Sequence, residues 1–249
     1  WVNPKTGAYY GCHMLPVPTE SMDIYAQWVP MEKVKPGKDA FQNGDFEGDI
    51  VYIRPSNGTV RVVAEADGNH VLEYRRYSPH ASIQTFVGWE AGRKYHIHYR
   101  VKAPAVVSSY YNQMRSGDNI TGTQTKTNEW VTVDDDFTVP SNASEAVNAN
   151  SGWLSLYCNP INGSGSTVYY DDLSLIPYAL VRYHAGGGSG APEDTSLLSG
   201  TVEIPDVTPV RRGFIFAGWS LTEGGTTPVT SVEVNGSDID LYAIWNPIG

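Results

Sequence analysis

The chain has 249 residues, 12% of them aromatic, with 25 glycines, 16 prolines and a formal net charge of −10. That charge argues against nucleic acid and against an anionic membrane surface, because both need a basic face on the protein. No apolar run approaches the ~18–20 residues of a spanning helix, so no membrane insertion is expected, and at ~100–200 residues per domain the length allows two domains with real cores.

The first element is half of a repeat. Asp23-Ile24-Tyr25-Ala26-Gln27-Trp28 near the start returns as Asp240-Leu241-Tyr242-Ala243-Ile244-Trp245 near the end. An internal repeat marks a string of modules. Trp1 takes the part of Trp219, at 27 residues from the closing tryptophan rather than 26. The chain is therefore expected to be a fragment of a longer protein. Half a repeat cannot close its own core, and Trp1, Tyr9, Tyr10, Tyr25 and Trp28 are too much aromatic surface for water. Residues 1–33 are accordingly expected to pack on the central module.

That central module, over 34–177, opens with Phe41-Gln42-Asn43-Gly44-Asp45-Phe46-Glu47-Gly48-Asp49, a turn whose carboxylates flank an aromatic residue. Such a chain entry is tied down by an ion or by hydrogen bonds. Strands are predicted over Val60–Ala64, Val71–Tyr77, Tyr95–Ala103, Val106–Met114, Trp130–Val139, Trp153–Cys158 and Val168–Ile176. Many short strands with turns between them, and almost no helical periodicity, make a sandwich or jelly roll.

Two-residue alternation sorts the faces. Tyr95, Ile97, Tyr99 and Val101 are expected inside, leaving His96, His98, Arg100 and Lys102 outside. His96 and His98 read as a solvated face or as a metal pair, and no third His or Cys stands at ligand spacing. Leu154 and Leu156 point inward, so Ser155, Tyr157 and Asn159 share an open face. Tyr110 and Tyr111 point to opposite faces, so one of them looks outward. A tyrosine among small polar residues suits a flat hydroxylated ligand, whose C–H face stacks on the ring. Cys12 and Cys158 are the only cysteines, and they sit in different modules. They read as unpaired core thiols or as a disulfide between the modules.

Residues 178–249 form the last module. Val181-Arg182-Tyr183-His184-Ala185-Gly186-Gly187-Gly188 leads through Thr201-Val202-Glu203-Ile204-Pro205 to Arg212-Gly213-Phe214-Ile215-Phe216-Ala217-Gly218-Trp219-Ser220. Phe214, Phe216 and Trp219 fall near one strand face. Trp219 and Trp245 are expected to be the core of a small domain, the other reading being a stacking surface.

These last residues resemble the Listeria–Bacteroides repeat, the B-repeat of internalin-type surface proteins. The resemblance runs from Leu180 to Trp245, and residues 1–30 resemble the second half of that repeat with a departure at Tyr9–His13. It implies a small β-grasp-like module in an extracellular, secreted or surface-attached bacterial protein, and a possible cell-wall or protein partner through the repeats.

The central module resembles carbohydrate-binding modules of families four, nine and twenty-two. The residues that carry this are Asn43-Gly44-Asp45-Phe46-Glu47, Ala91–Ala103, Glu129-Trp130, Phe137-Thr138-Val139 and Val168-Tyr169-Tyr170-Asp171-Asp172-Leu173-Ser174-Leu175. The resemblance implies a β jelly roll that binds polysaccharide or oligosaccharide, with xylan or β-glucan favoured. It also implies a structural calcium ion held by the carboxylates of Glu47, Asp67 and Asp171 and the backbone carbonyls of Asp45 and His70. Tyr77 and His80 stand where related modules put a stacking aromatic and a polar partner. With Tyr110 or Tyr111, Arg115, Tyr157 and Asn159 they make the expected groove. Arg100 departs from the family, which has tryptophan there.

Catalysis is not expected. A glycoside hydrolase needs two carboxylates in one groove, ~5–5.5 or ~6.5–9.5 Å apart. Only Glu73 lies on a strand able to reach it, without a partner. The fold class expected is all-β, a central jelly roll flanked by small β-grasp-like repeats. The function expected is non-catalytic glycan binding; the alternative is a structural or adhesive stalk without a glycan ligand.

Overall fold

The computed structural model describes residues 33–41, 43–48, 53–78, 81–88, 90–112, 119–139, 152–159 and 165–249. The half repeat of 1–32, Cys12, His80 and Arg115 lie outside them. The described chain is all-β and falls into two units. One holds Val34 and Asp39–Leu175; the other holds Lys35–Lys38 and Ile176–Gly249.

The first unit contains, in chain order, β1 (Arg54–Ser56), β2 (Gly58–Ala64), β3 (His70–Arg76), β4 (Ser82–Val87), β5 (Lys94–Lys102), β6 (Ser108–Asn112), β7 (Asn119–Gln124), β8 (Trp130–Thr138), β9 (Gly152–Asn159) and β10 (Thr167–Pro177). They make two five-stranded sheets, ordered β1-β4-β9-β6-β7 and β2-β3-β10-β5-β8. The core lies between the sheets. β5 alternates as expected: Tyr95, Ile97, Tyr99 and Val101 are buried while His96, His98, Arg100 and Lys102 are partly exposed. Leu72 and Tyr74 of β3, Leu154 and Leu156 of β9 and Val168 and Tyr170 of β10 join the same cluster. Each such side chain contributes about 1.5–3 kcal/mol. Cys158 is buried in this core, where desolvation pushes its thiol up to about 12. It acts as a small apolar residue.

The 41–48 turn is held by hydrogen bonds. Asp39 Oδ1 accepts the N–H groups of Phe41 and Leu175, each at 2.9 Å. Leu173 N–H donates to the Gly44 carbonyl at 2.8 Å. A Cβ on Gly44 would lie 1.7 Å from the Leu173 oxygen, so only glycine permits this crossing. The turn thereby delivers Phe46, 1% exposed, into the core.

The seven strands expected from the sequence are present with shifts of a few residues at their ends, and three further strands, β1, β4 and β7, add to them. β1 is three residues long and contains Pro55. Asn119-Ile120-Thr121-Gly122-Thr123-Gln124 carries a single large apolar residue, so hydrophobic alternation is nearly absent from β7. All three belong to one sheet.

The second unit has β11 (Ala179–His184), β12 (Thr195–Leu197), β13 (Ser199–Glu203), β14 (Phe214–Ser220), β15 (Ser231–Asn235) and β16 (Ile239–Pro247). Its sheet runs β12-β11-β16-β14, with β11 and β16 parallel and the outer pairs antiparallel; β13 and β15 form a separate ribbon. This is a β-grasp-like mixed sheet whose crossover from β11 to β14 runs through strands. A bulge between Phe216 and Gly218 shifts the register against β16. It lets Phe216 and Trp219, three apart in sequence, meet at 5.4 Å between ring centroids.

Candidate functional site

The two sheets of the first unit differ in chemistry. The strands of β1-β4-β9-β6-β7 contain no Asp or Glu, and their one charged residue is Arg54. Every strand of the other sheet carries charges, and most of those on its outer face are paired, exposed Arg75 excepted among the described residues. Arg61 meets Glu73 at 2.6 Å. His96 lies 2.9 Å from both Asp134 and Asp136, and Lys94 lies 2.8 Å from Asp136. Lys102 pairs with Glu65, and both Arg100 and Lys102 sit 4.7 Å from the Trp130 ring centre. The His96 and His98 face is thus an ion-paired surface, and among the described residues no three His, Cys, Asp or Glu groups converge as a metal site.

On the uncharged sheet, register assembles a polar row and an aromatic row. Gln84 of β4 and Asn112 of β6 stand opposite Ser155 of β9 from either side. Two positions along, Ser82 and Tyr110 stand opposite Tyr157, and Ser108 opposite Asn159. Directly opposed residues share a face, and this one is opposite to buried Leu154 and Leu156. Tyr110 therefore takes a position on the outer face, whereas Tyr111, beside Leu156, takes one on the core face. Ser82 is 1% exposed, and its hydroxyl has no hydrogen-bond partner among the described residues. A buried hydroxyl left this way carries a desolvation cost of about 1–3 kcal/mol.

Tyr77 stands elsewhere. It follows β3 of the charged sheet, 53% exposed, with its hydroxyl 3.3 Å from Thr59 Oγ1 on β2. Of the predicted groove, the register brings together Tyr110, Tyr157 and Asn159 and leaves Tyr77 apart. Glu73 is likewise on the charged sheet, engaged by Arg61. Ser82, Gln84, Asn112 and Trp153 are positions that sequence reasoning misses. Alternation from Ser155 gives Trp153 directly; the other three need the cross-strand register.

The expected calcium ligands divide. Both oxygens of Glu47 face His70, accepting its backbone N–H at 2.8 Å and lying 2.8 Å from its ring Nδ1. These bonds hold the Glu47 carboxyl below its usual range. Asp171, 2% exposed, accepts from Asn69 Nδ2 at 3.0 Å, from Arg100 Nη1 at 3.2 Å and from the Asp172 N–H at 2.9 Å. Burial pushes its carboxyl up, against the pull of these donors. Glu47 is thus bonded to His70 and Asp171 to its sequence neighbour Asn69. Asp67 instead accepts the Asn69 N–H at 3.1 Å and caps its own turn, and Asp45 accepts the Glu47 N–H at 3.4 Å. Of the three expected carboxylates, two thus reach adjacent residues of one segment and the third is engaged in its own turn.

Residues 180–244 match the family model described as the Listeria-Bacteroides repeat domain. The match does not extend to the half repeat at the other end. In the matched repeat Trp219 is 2% exposed and packs edge-on against Tyr183 at 5.2 Å. Trp245 donates from Nε1 to the Ala185 carbonyl at 2.8 Å and closes over the Gly186–Gly188 turn, so both tryptophans are structural. No curated protein matches the chain in sequence. Among solved structures, an arabinose-bound GH51 α-L-arabinofuranosidase is 14% identical over 60% of this chain, at a TM-score of 0.45, and this chain spans 31% of its length. A CBM4 structure is 20% identical over 55% of this chain and 98% of its own, at a TM-score of 0.40. The CBM22-1 xylan-binding domain from Paenibacillus barcinonensis Xyn10C is 15% identical over 59% of this chain and 97% of its own, at 0.43. Likenesses this distant carry no argument about function.

Proposed function

We propose that the first unit is a non-catalytic polysaccharide-binding module of a secreted or surface-attached bacterial protein, and that the repeat beside it is an extracellular spacer. The ligand is a neutral β-linked chain, xylan or β-glucan, lying on the outer face of β1-β4-β9-β6-β7. One observation carries this reading: in a chain of net charge −10, the five strands of one sheet lack carboxylates, and their register sets the Gln84, Ser155 and Asn112 positions in one row beside the Ser82, Tyr157 and Tyr110 positions. Amides and hydroxyls that are not committed to ion pairs answer sugar hydroxyls, and a tyrosine ring answers the sugar C–H face. The sequence motifs from Asn43–Glu47 to Val168–Leu175 support the same class. The strands of this sheet carry no Asp or Glu that could serve as acid or nucleophile in glycoside hydrolysis.

We further propose that calcium stabilises this unit through Glu47 and Asp171 with the backbone carbonyls of Asp45 and His70. The ion would supply a charge that ties the 43–48 turn, the start of β3 and β10 to one point.

The test is titration calorimetry of the chain with xylo- and β-gluco-oligosaccharides, alongside Tyr157→Ala and Gln84→Ala. Tyr157→Ala is expected to weaken binding by about 1–3 kcal/mol, while Tyr77→Ala leaves affinity unchanged. Loss at Tyr77 with none at Tyr157 would move the site to the other sheet. No binding by the parent to any neutral glycan would leave the unit a stalk segment.

A further inference from the structure

The repeat's sheet has two open edges of opposite character. β14 ends the sheet on one side and β12 on the other. Along the outer edge of β14 the described residues show Phe214 N–H donating to the Arg211 carbonyl at 3.2 Å and Trp219 O accepting Val229 N–H at 2.8 Å, so the stretch between Phe214 N–H and the Gly218 bulge is unpaired among them. That stretch is preceded by Arg211-Arg212, and Ile215 on it is 59% exposed, with Val210 at 66% nearby. An open groove bordered by Gly187, Gly188, Val210, Phe214 and Phe216 lies against it. The opposite edge, β12, is preceded by Glu193-Asp194, both exposed. Among the described residues, none of these four charged side chains is in an ion pair.

Strand direction makes these edges complementary. β12 is antiparallel to β11, β11 is parallel to β16, and β16 is antiparallel to β14, so β12 and β14 run the same way. A second copy of the repeat, set beside the first by simple continuation of the sheet, brings its β12 alongside β14 as a parallel pair. Both charged pairs precede their strands, so Arg211-Arg212 of one copy falls beside Glu193-Asp194 of the next, and Ile215 falls beside Leu197. Edge strands with bare amides pair unless something blocks them, and the usual block is charge of one sign. In this parallel register the signs attract across the two edges.

We propose that the repeat associates head to tail with a second copy of itself, β14 of one joining β12 of the next. The contact is heterologous, so it does not close at a dimer and propagates along a row of copies. Three or four paired residues make a small interface, so association belongs at ~0.1–1 mM protein or at the high local concentration of tandem repeats. It does not depend on glycan.

Sedimentation velocity of the full chain, at rising concentration in low salt, is the test. The mean mass is expected to rise past that of a dimer and to return to monomer in ~1 M salt, where the screening length is about 3 Å. Arg212→Glu, which keeps the Arg211 guanidinium on the Phe214 ring at 4.1 Å, should remain monomeric by itself. So should Glu193→Lys with Asp194→Lys. Mixing the two charge-reversed chains should restore association, because acid then meets base at each contact. A parent chain that stays monomeric at ~1 mM overturns the proposal. So do variants that associate alone as the parent does, or a mixture that does not recover.

Discussion

Glu47 and Asp171 are bonded to adjacent residues, His70 and Asn69, yet their carboxyl groups move in opposite directions. Glu47 is exposed and gains an N–H donor on folding, so its folded value falls below the ordinary 4.5. Its contribution to stability is present above that value and lost as pH falls through the lowered one. Asp171 is buried and its folded value rises, so its ionisation opposes folding as pH increases through that raised value. Replacing Glu47 by Gln should remove the first effect and leave the second. In chelator, melting of the parent and of Glu47→Gln should differ most near neutral pH and converge as pH falls below about 4.5. Curves that stay parallel down to about pH 3 would mean that the His70 bond contributes nothing.

At the level of elements, the β14 bulge decides whether the repeat has a core. Without it, strict alternation would put Trp219 on the face of Ile215, in solvent, and not with Phe216. Gly218 makes the shift possible: its φ is 121°, and a Cβ there would stand 2.7 Å from Pro228 Cβ. Gly218→Ala therefore combines a strained backbone with a clash, and is expected to destabilise the repeat by roughly 2–4 kcal/mol, read by denaturant unfolding followed through Trp219 fluorescence. If the midpoint moves by less than a few tenths of a kcal/mol equivalent, the bulge is not what holds Trp219 inside. The sequence shows the aromatic set Phe214, Phe216 and Trp219. It does not show the extra residue at 217–218 that unites them.

The described residues form two separate buried clusters, one around Tyr99 and Leu175 and one around Val181 and Trp219. Two cores predict two calorimetric transitions. Gly218→Ala should lower only the repeat's transition, which assigns it. Calcium, on the proposal above, should raise only the other, by mass action on the folded form, and chelation should reverse the rise. A calcium response in the repeat's transition, or in neither, would remove the ion from the Glu47–Asp171 end of the sandwich.

By itself the sequence determined the all-β class, the inward set of β5, the structural part of Trp219 and the repeat that the family model matches at 180–244. Each of these is written locally, as two-residue alternation or as a motif whose members are close along the chain. The tertiary structure alone decided which side chains share a surface. Tyr77 and Tyr157 look equivalent in sequence, but Tyr157 lies within β9 of the uncharged sheet and Tyr77 follows the end of β3 of the charged one. Gln84, Ser155 and Asn112 lie far apart in the chain and meet only through the pairing of β4, β9 and β6. Alternation tells each strand which way a residue faces within that strand. It says nothing of which strand lies beside it, because register is fixed by the core that all ten strands bury together.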